Sequence, residues 1–130
     1  MSKFSRQSQE RLLECDPDLQ ELFTHVLQIH DCSILEGFRG QEQQNEYFRT
    51  GKSKVKYPNG KHNQRPSKAI DVAPYPIDWN NTKRFYYFAG IVKAAAYSLG
   101  LKIRWGGDWD SDNDLNDQAF MDLVHFELED

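Results

Sequence analysis

No run of apolar residues in this chain approaches the ~18–20 that a membrane-crossing helix requires. The N-terminal segment, Met1 to Cys15, is too polar for a secretory signal, since no apolar stretch of the length one would demand follows its charges. The expectation is a chain made in a cytosol without an export signal of its own. A basic excess is also missing. Sixteen Lys and Arg against 20 Asp and Glu leave a net charge of −4, which argues against a dedicated nucleic-acid binder. Cysteine is scarce, and Cys15 and Cys32 fit no paired framework, so both are expected to stay reduced. There is no internal repeat and no low-complexity tract.

What the chain does have is 130 residues, enough for one domain that buries about two-thirds of its unfolded surface. Eight Phe, six Tyr and three Trp can anchor its core. Residues 5–15 read as a helix with Leu12 and Leu13 on one side. Asp16-Pro17 reads as an N-cap followed by proline at the first helical position. The helix it starts, 17–30, has an apolar face of Leu19, Leu22, Phe23, Val26, Leu27 and Ile29. Residues 33–37 are a strand candidate. Residues 41–50 form a polar helix closed by Gly51, and 52–66 a basic loop. Strands are expected over 68–73, 101–105 and 121–128, with a long helix from about 78–81 to 99. Helices and strands mix without a βαβ repeat. That predicts a single α+β domain over 1–130, helices packed on a mostly antiparallel sheet, with N-terminal helices in 1–30 and a motif-bearing core in 33–128.

The chemistry concentrates on three side chains. Aspartate is disfavoured inside strands, yet Asp71 stands in Lys68-Ala69-Ile70-Asp71-Val72-Ala73. By alternation it shares a face with the small Ala69 and Ala73. An inward carboxylate needs a partner: a metal ion, or a salt bridge to a loop arginine. His125 sits within the apolar run Leu123-Val124-His125-Phe126, and His62 lies in a loop. One Asp and two His suit a tetrahedral zinc ion with an open position. His25 and His30 fall on different faces of the second helix and read as solvated or capping residues. Asp122 is a candidate base, although positions three apart in a regular strand point to opposite faces. Arg39, after a Gly37-Phe38 turn, could hold an oxyanion or a carboxylate.

The string Glu36-Gly37-Phe38-Arg39 with Gln43, the segment from His62 to Asp71-Val72-Ala73-Pro74, Trp105-Gly106-Gly107-Asp108-Trp109, and Asp122-Leu123-Val124-His125-Phe126-Glu127 together resemble a zinc peptidase family. It comprises the D-alanyl-D-alanine carboxypeptidases and the phage endolysins that cut the L-alanyl–D-glutamate bond of peptidoglycan. The resemblance spans about residues 33–128 and is nearest the short phage-type members. It implies a small α+β fold with zinc on one sheet face, bound by His62, Asp71 and His125. It implies Asp122 as acid/base and Arg39 as the family's arginine. Water activated by the zinc would give its proton to Asp122, and Arg39 would help stabilise the oxyanion. Gly60 stands where the family often has serine, and the segment between His62 and Asp71 is longer than the commonest pattern.

Asp110, Asp112 and Asp114 begin like a calcium loop, but Leu115 and Met121 replace the glycine and glutamate of an EF-hand. A looser Ca²⁺ site or a solvated acidic loop remains. Lys52, Lys54, Lys56, Lys61, Arg49 and Arg65 make a basic loop that could attract stem-peptide carboxylates. Trp105 and Trp109 could wall a substrate groove, and Asp108 could orient a ligand histidine. The function expected is a zinc peptidase of peptidoglycan stem peptides, an L-alanyl-D-glutamate endopeptidase serving phage lysis. It is expected to be monomeric, to bind neither nucleic acid nor membrane, and to act at the wall after release. The alternatives are a D-Ala-D-Ala carboxypeptidase and an inactive wall-binding module.

Overall fold

The computed structural model describes residues 3–109, 111 and 122–129. In chain order the elements are α1 (Arg6–Leu12), α2 (Pro17–Leu27), β1 (Cys32–Glu36), α3 (Gln41–Arg49), a 3-10 turn η1 (Lys61–Asn63), β2 (Ala69–Pro74), α4 (Thr82–Ser98), β3 (Ile103–Gly106) and β4 (Asp122–Leu128). The strands form one sheet in the order β1-β2-β4-β3, with antiparallel neighbours throughout. This is the expected α+β architecture.

Local chemistry accounts for the helix boundaries. Asp16 accepts a hydrogen bond from the Asp18 amide at 2.9 Å, and Pro17 sits where no amide proton is needed. Asn81 caps α4 in the same manner, and Gly100, at φ +73°, follows its last turn in the left-handed region. Two apolar residues depart from the periodic reading. Ile29 is 57% exposed because α2 ends at the Gln28 cap, one residue too early to bring it round to the core. Leu13, the C-cap of α1, is 66% exposed, and Leu12 alone of that pair is buried.

Helices α2 and α4 cover one face of the sheet. Leu19, Leu22, Phe23 and Val26 from α2 meet Phe88, Ala89 and Val92 from α4 over Ile34, Ile70, Val72 and Phe126 of the strands. Phe23 and Phe88 both present edges to Phe126, at 5.6 and 6.3 Å. Cys15 and Cys32 lie free in this core, and burial, helped by the charges of Glu14 and Asp31 respectively, pushes both thiols up to about 12. Helix α1 covers the outer strand β1: Ser8 Oγ accepts from the Ile34 amide and Arg11 donates to the Ile34 carbonyl, at 2.9 and 3.0 Å. No helix among the described residues is long and apolar enough to cross a membrane.

Candidate metal centre and its surroundings

The other face of the sheet is polar. Asp71 of β2 and His125 of β4 are register partners, directly opposite across the two central strands. His62 arrives from η1. That turn is tied down by the Arg39 amide donating to the His62 carbonyl at 2.8 Å and the Lys68 amide donating to the Lys61 carbonyl at 3.0 Å. One ligand atom from each of the three falls within 4.8 Å of the others. Asp71 Oδ1 is 3.1 Å from His62 Nε2 and 3.3 Å from His125 Nδ1. Bonds of about 2.0–2.2 Å at tetrahedral angles would set ligand atoms about 3.3–3.6 Å apart. The donor set suits a metal ion, and the separations from Asp71 lie close to those a small tetrahedral cation would set.

Each histidine is oriented by a bond from its second nitrogen. His62 Nδ1 donates to the Gly37 carbonyl at 2.7 Å, and His125 Nε2 donates to Glu127 Oε1 at 2.8 Å. Those bonds turn Nε2 of His62 and Nδ1 of His125 toward Asp71, where each would offer its electron pair to a metal that displaces its proton. Glu127 is itself held by Arg104 at 2.8 Å, its partner across β3 and β4, and by Lys61 at 3.5 Å. Burial works against the ionisation of Asp71, but the charges of His62 and His125 and their hydrogen bonds outweigh it and hold the carboxyl well below the usual range. Burial also disfavours the charged form of His125, yet Asp71 and Glu127 push it up to about 9. Glu127, likewise opposed by burial, is brought down to about 2 by His125 and Arg104.

Arg39 approaches the trio from the side opposite Glu127. Its guanidinium lies 3.6 Å from Asp71 Oδ2, donates to Glu36 at 2.5 and 3.0 Å and to Gln44 at 3.0 Å, and stacks over Tyr47 at 4.5 Å. Both partners foreseen for Asp71 thus have a place: Oδ1 turns to the histidines and Oδ2 to a loop arginine. Glu36 pairs in register with Asp71 across a bulge in β1, which brings the residue that anchors Arg39 to the same edge.

Asp122 reaches this face because β4 is irregular. Trp105 pairs with Phe126 but the next residue of β3, Gly106, pairs with Asp122, so residues 123–125 form a bulge that resets the alternation. A Cβ at Gly106 would meet the Asp122 carbonyl oxygen at 2.0 Å, so only glycine allows the approach. Asp122 senses the charges of Asp71, His125, His62 and Arg39. Burial first, and Asp71 second, push its carboxyl up.

The remaining candidates disperse. Trp109 lies against His125 with ring centroids 5.2 Å apart. Trp105 is buried and donates to the Leu123 carbonyl at 2.9 Å. Asp108, also buried, lies 3.7 Å from Lys93 of α4, and the carboxylate that orients His125 is Glu127. His25 is exposed, and His30 meets the Asp31 carbonyl at 2.8 Å. In the basic loop, Arg49 pairs with Glu46, Arg65 stacks on Phe38 and Lys61 serves Glu127. Asp110, Asp112 and Asp114 lie outside the described residues. Glu36 and Glu127 stood in the strings that carry the family resemblance without an assigned role, and Gln44, which Arg39 meets, was passed over for its neighbour Gln43. Glu127 left a further signal, standing two positions from His125 and hence on its face.

The chain is similar to known proteins over nearly its whole length. A family model described as phage L-alanyl-D-glutamate peptidase matches residues 1–129. The L-alanyl-D-glutamate peptidase of Escherichia phage T5 is 32% identical over 134 residues, covering 97% of each chain. The crystal structure of the L-Ala D-Glu endopeptidase ChiX of Serratia marcescens superposes with a TM-score of 0.77 at 26% identity, covering 98% of this chain and 90% of that one. A metal-suited trio on a sheet face, inside a chain matched over nearly its whole length, leads to one assignment: this protein belongs to the phage L-alanyl-D-glutamate peptidase family and is a peptidase.

Proposed function

We propose that this enzyme hydrolyses the bond between L-alanine and D-glutamate in peptidoglycan stem peptides, with one zinc ion held by His62, Asp71 and His125. The observation that carries the reading is the convergence of those three ligand atoms with both spare histidine nitrogens already bonded elsewhere. A zinc ion there would supply Lewis acidity, activating water and polarising the scissile carbonyl.

The rest is work for the chain's own groups. Asp122, its carboxyl raised by burial and by Asp71, accepts the proton of the attacking water and returns it to the departing nitrogen of D-glutamate. Arg39 fixes Asp71, and its positive charge favours the oxyanion as it develops. Trp109 forms a wall beside His125, and the turn beneath it is braced by the Asp108 amide donating to the Trp105 carbonyl at 3.0 Å. In this reading the protein is a monomeric phage endolysin, made in the host cytoplasm and acting on the wall once it is admitted there.

The test is mass analysis of peptidoglycan digested by the zinc-loaded protein, together with metal analysis. New glutamate amino ends and one zinc per chain are expected. Released D-alanine would instead assign a carboxypeptidase, and an intact wall would remove the enzymatic reading.

A further inference from the structure

Asp122 borders two spaces. One is the polar group around Asp71; the other is a recess of about 210 Å³ lined by Trp79, Phe85, Asp122, Leu123 and Val124. Trp79 stands at its rim, 61% exposed, in the segment leading into α4. It stacks on the buried Phe85 with ring centroids 5.6 Å apart and planes 17° from parallel. An indole held flat on a core phenylalanine, with its outer surface in water, is a rigid platform whose ordering has already been met by the fold. Apart from Asp122, the described residues lining this recess carry no charge, whereas the cations near the trio, Arg39, Lys61 and Arg104, lie against Asp71 and Glu127.

The proposed substrate is divided in the same way. Beyond the scissile bond toward its C-terminal side lie the carboxylates of D-glutamate and of the residues after it. Toward the N-terminal side lie the alanine methyl group, a lactyl amide and a pyranose ring, none of them charged. A pyranose presents ring C–H groups that carry partial positive charge, and the face of an indole is negative. The carboxylates find cations flanking the trio, Arg39 at one end and Lys61 and Arg104 at the other, whereas a neutral amphipathic group favours an apolar recess with an aromatic wall.

We propose that Trp79, Phe85, Leu123 and Val124 form the subsite for the muramic-acid sugar and its lactyl-L-alanyl arm, with the sugar ring stacked on Trp79. This rests on the assignment of the scissile bond above and adds the direction in which the substrate lies. Trp79 then selects substrates that keep their sugar over bare peptides.

Two readouts test it. The first compares kcat/KM of the zinc-loaded enzyme on N-acetylmuramyl-L-alanyl-D-isoglutamine and on N-acetyl-L-alanyl-D-isoglutamine. The wild type should prefer the muramyl compound. Trp79→Ala should reduce that preference by roughly threefold to tenfold, mainly through KM, and Trp79→Phe should keep most of it. An unaltered preference in Trp79→Ala, or equal loss on both compounds, would overturn the subsite. The second uses the metal-free protein. The indole N–H resonance of Trp79, identified by its loss in Trp79→Phe, should shift on titration with N-acetylmuramyl-L-alanine and hardly at all with N-acetyl-L-alanine. A resonance that both compounds leave in place overturns the proposal. If the wild type cleaves neither peptide, the bond assignment fails, and the titration still decides the sugar platform by itself.

Discussion

The two faces of the sheet are built from alternate residues of the same strands and obey different rules. Toward the helices, Ile70, Val72 and Phe126 meet α2 and α4 through dispersion and area alone. Toward the other side, Asp71, His125 and Glu127 are each fixed by bonds of defined direction, in a line from Arg39 to Arg104. The first face tolerates exchange of shape for shape at a cost in stability. The second tolerates little, since removing one partner strands a buried charge. In the proposed function the proton chemistry belongs to the polar face and most of the packing to the other, and substitutions on each face should separate activity from stability.

The sharpest separation is expected at Asp122. Asp122→Ala should lower kcat by about 10²–10⁴-fold while leaving metal content unchanged, because the residue handles a proton and is not part of the trio. Zinc analysis beside a wall-lysis assay checks this, and full activity in the variant would take Asp122 out of the mechanism. The converse change is Phe23→Ala on the opposite face. Phe23 is completely buried, so its truncation should cost about 3–5 kcal/mol in urea unfolding. Metal affinity of the folded fraction should hold, and a matched loss of affinity would show that the faces are coupled after all.

Glu127 lies between these extremes, bonded to His125 but outside the trio proposed to hold the metal. Glu127→Gln can still accept from His125 Nε2 but no longer carries the charge that strengthens that bond. Loss of such a partner typically costs about 10–100-fold in metal affinity. Competition with a chelator of known affinity measures it directly, and an unchanged affinity would make Glu127 a partner of Arg104 and Lys61 only.

How much of this was legible beforehand follows from the range of the interactions. The α2 cap at Asp16-Pro17, the apolar face of α2 apart from Ile29, and the span of α4 are local, and the sequence announced them. Asp71 and His125 stood out because each breaks the composition of its strand. Their meeting agrees with the resemblance, and it depends on β2 and β4 being neighbours, a pairing that joins residues more than fifty positions apart. Glu36 and Arg39 stood in one string of the resemblance, but their bonding to each other and to Gln44 was not legible. The three belong to a strand, a loop and a helix whose juxtaposition only the folded chain decides. Asp122 is the instructive case. Strict alternation put it on the wrong face, and the correction was encoded in another strand, in the glycine at 106 that lets β4 bulge.

The smallest effect expected is on the metal-free protein, and it isolates the charge pair that orients His125. His125 is raised from 6.5 to about 9, so its share of the stability is complete below pH 6.5 and is lost as pH rises through 9. Glu127 is lowered from 4.5 to about 2, so its share is complete above pH 4.5 and is lost as pH falls through 2. The pair therefore contributes most between pH 4.5 and 6.5. Chelator-treated wild type should exceed Glu127→Gln in Tm by the largest margin, a few degrees, inside that window, with the gap narrowing on either side. A gap independent of pH would mean that Glu127 stabilises the site through shape and not through charge. The polar face would then follow the same rules as the apolar one at this position.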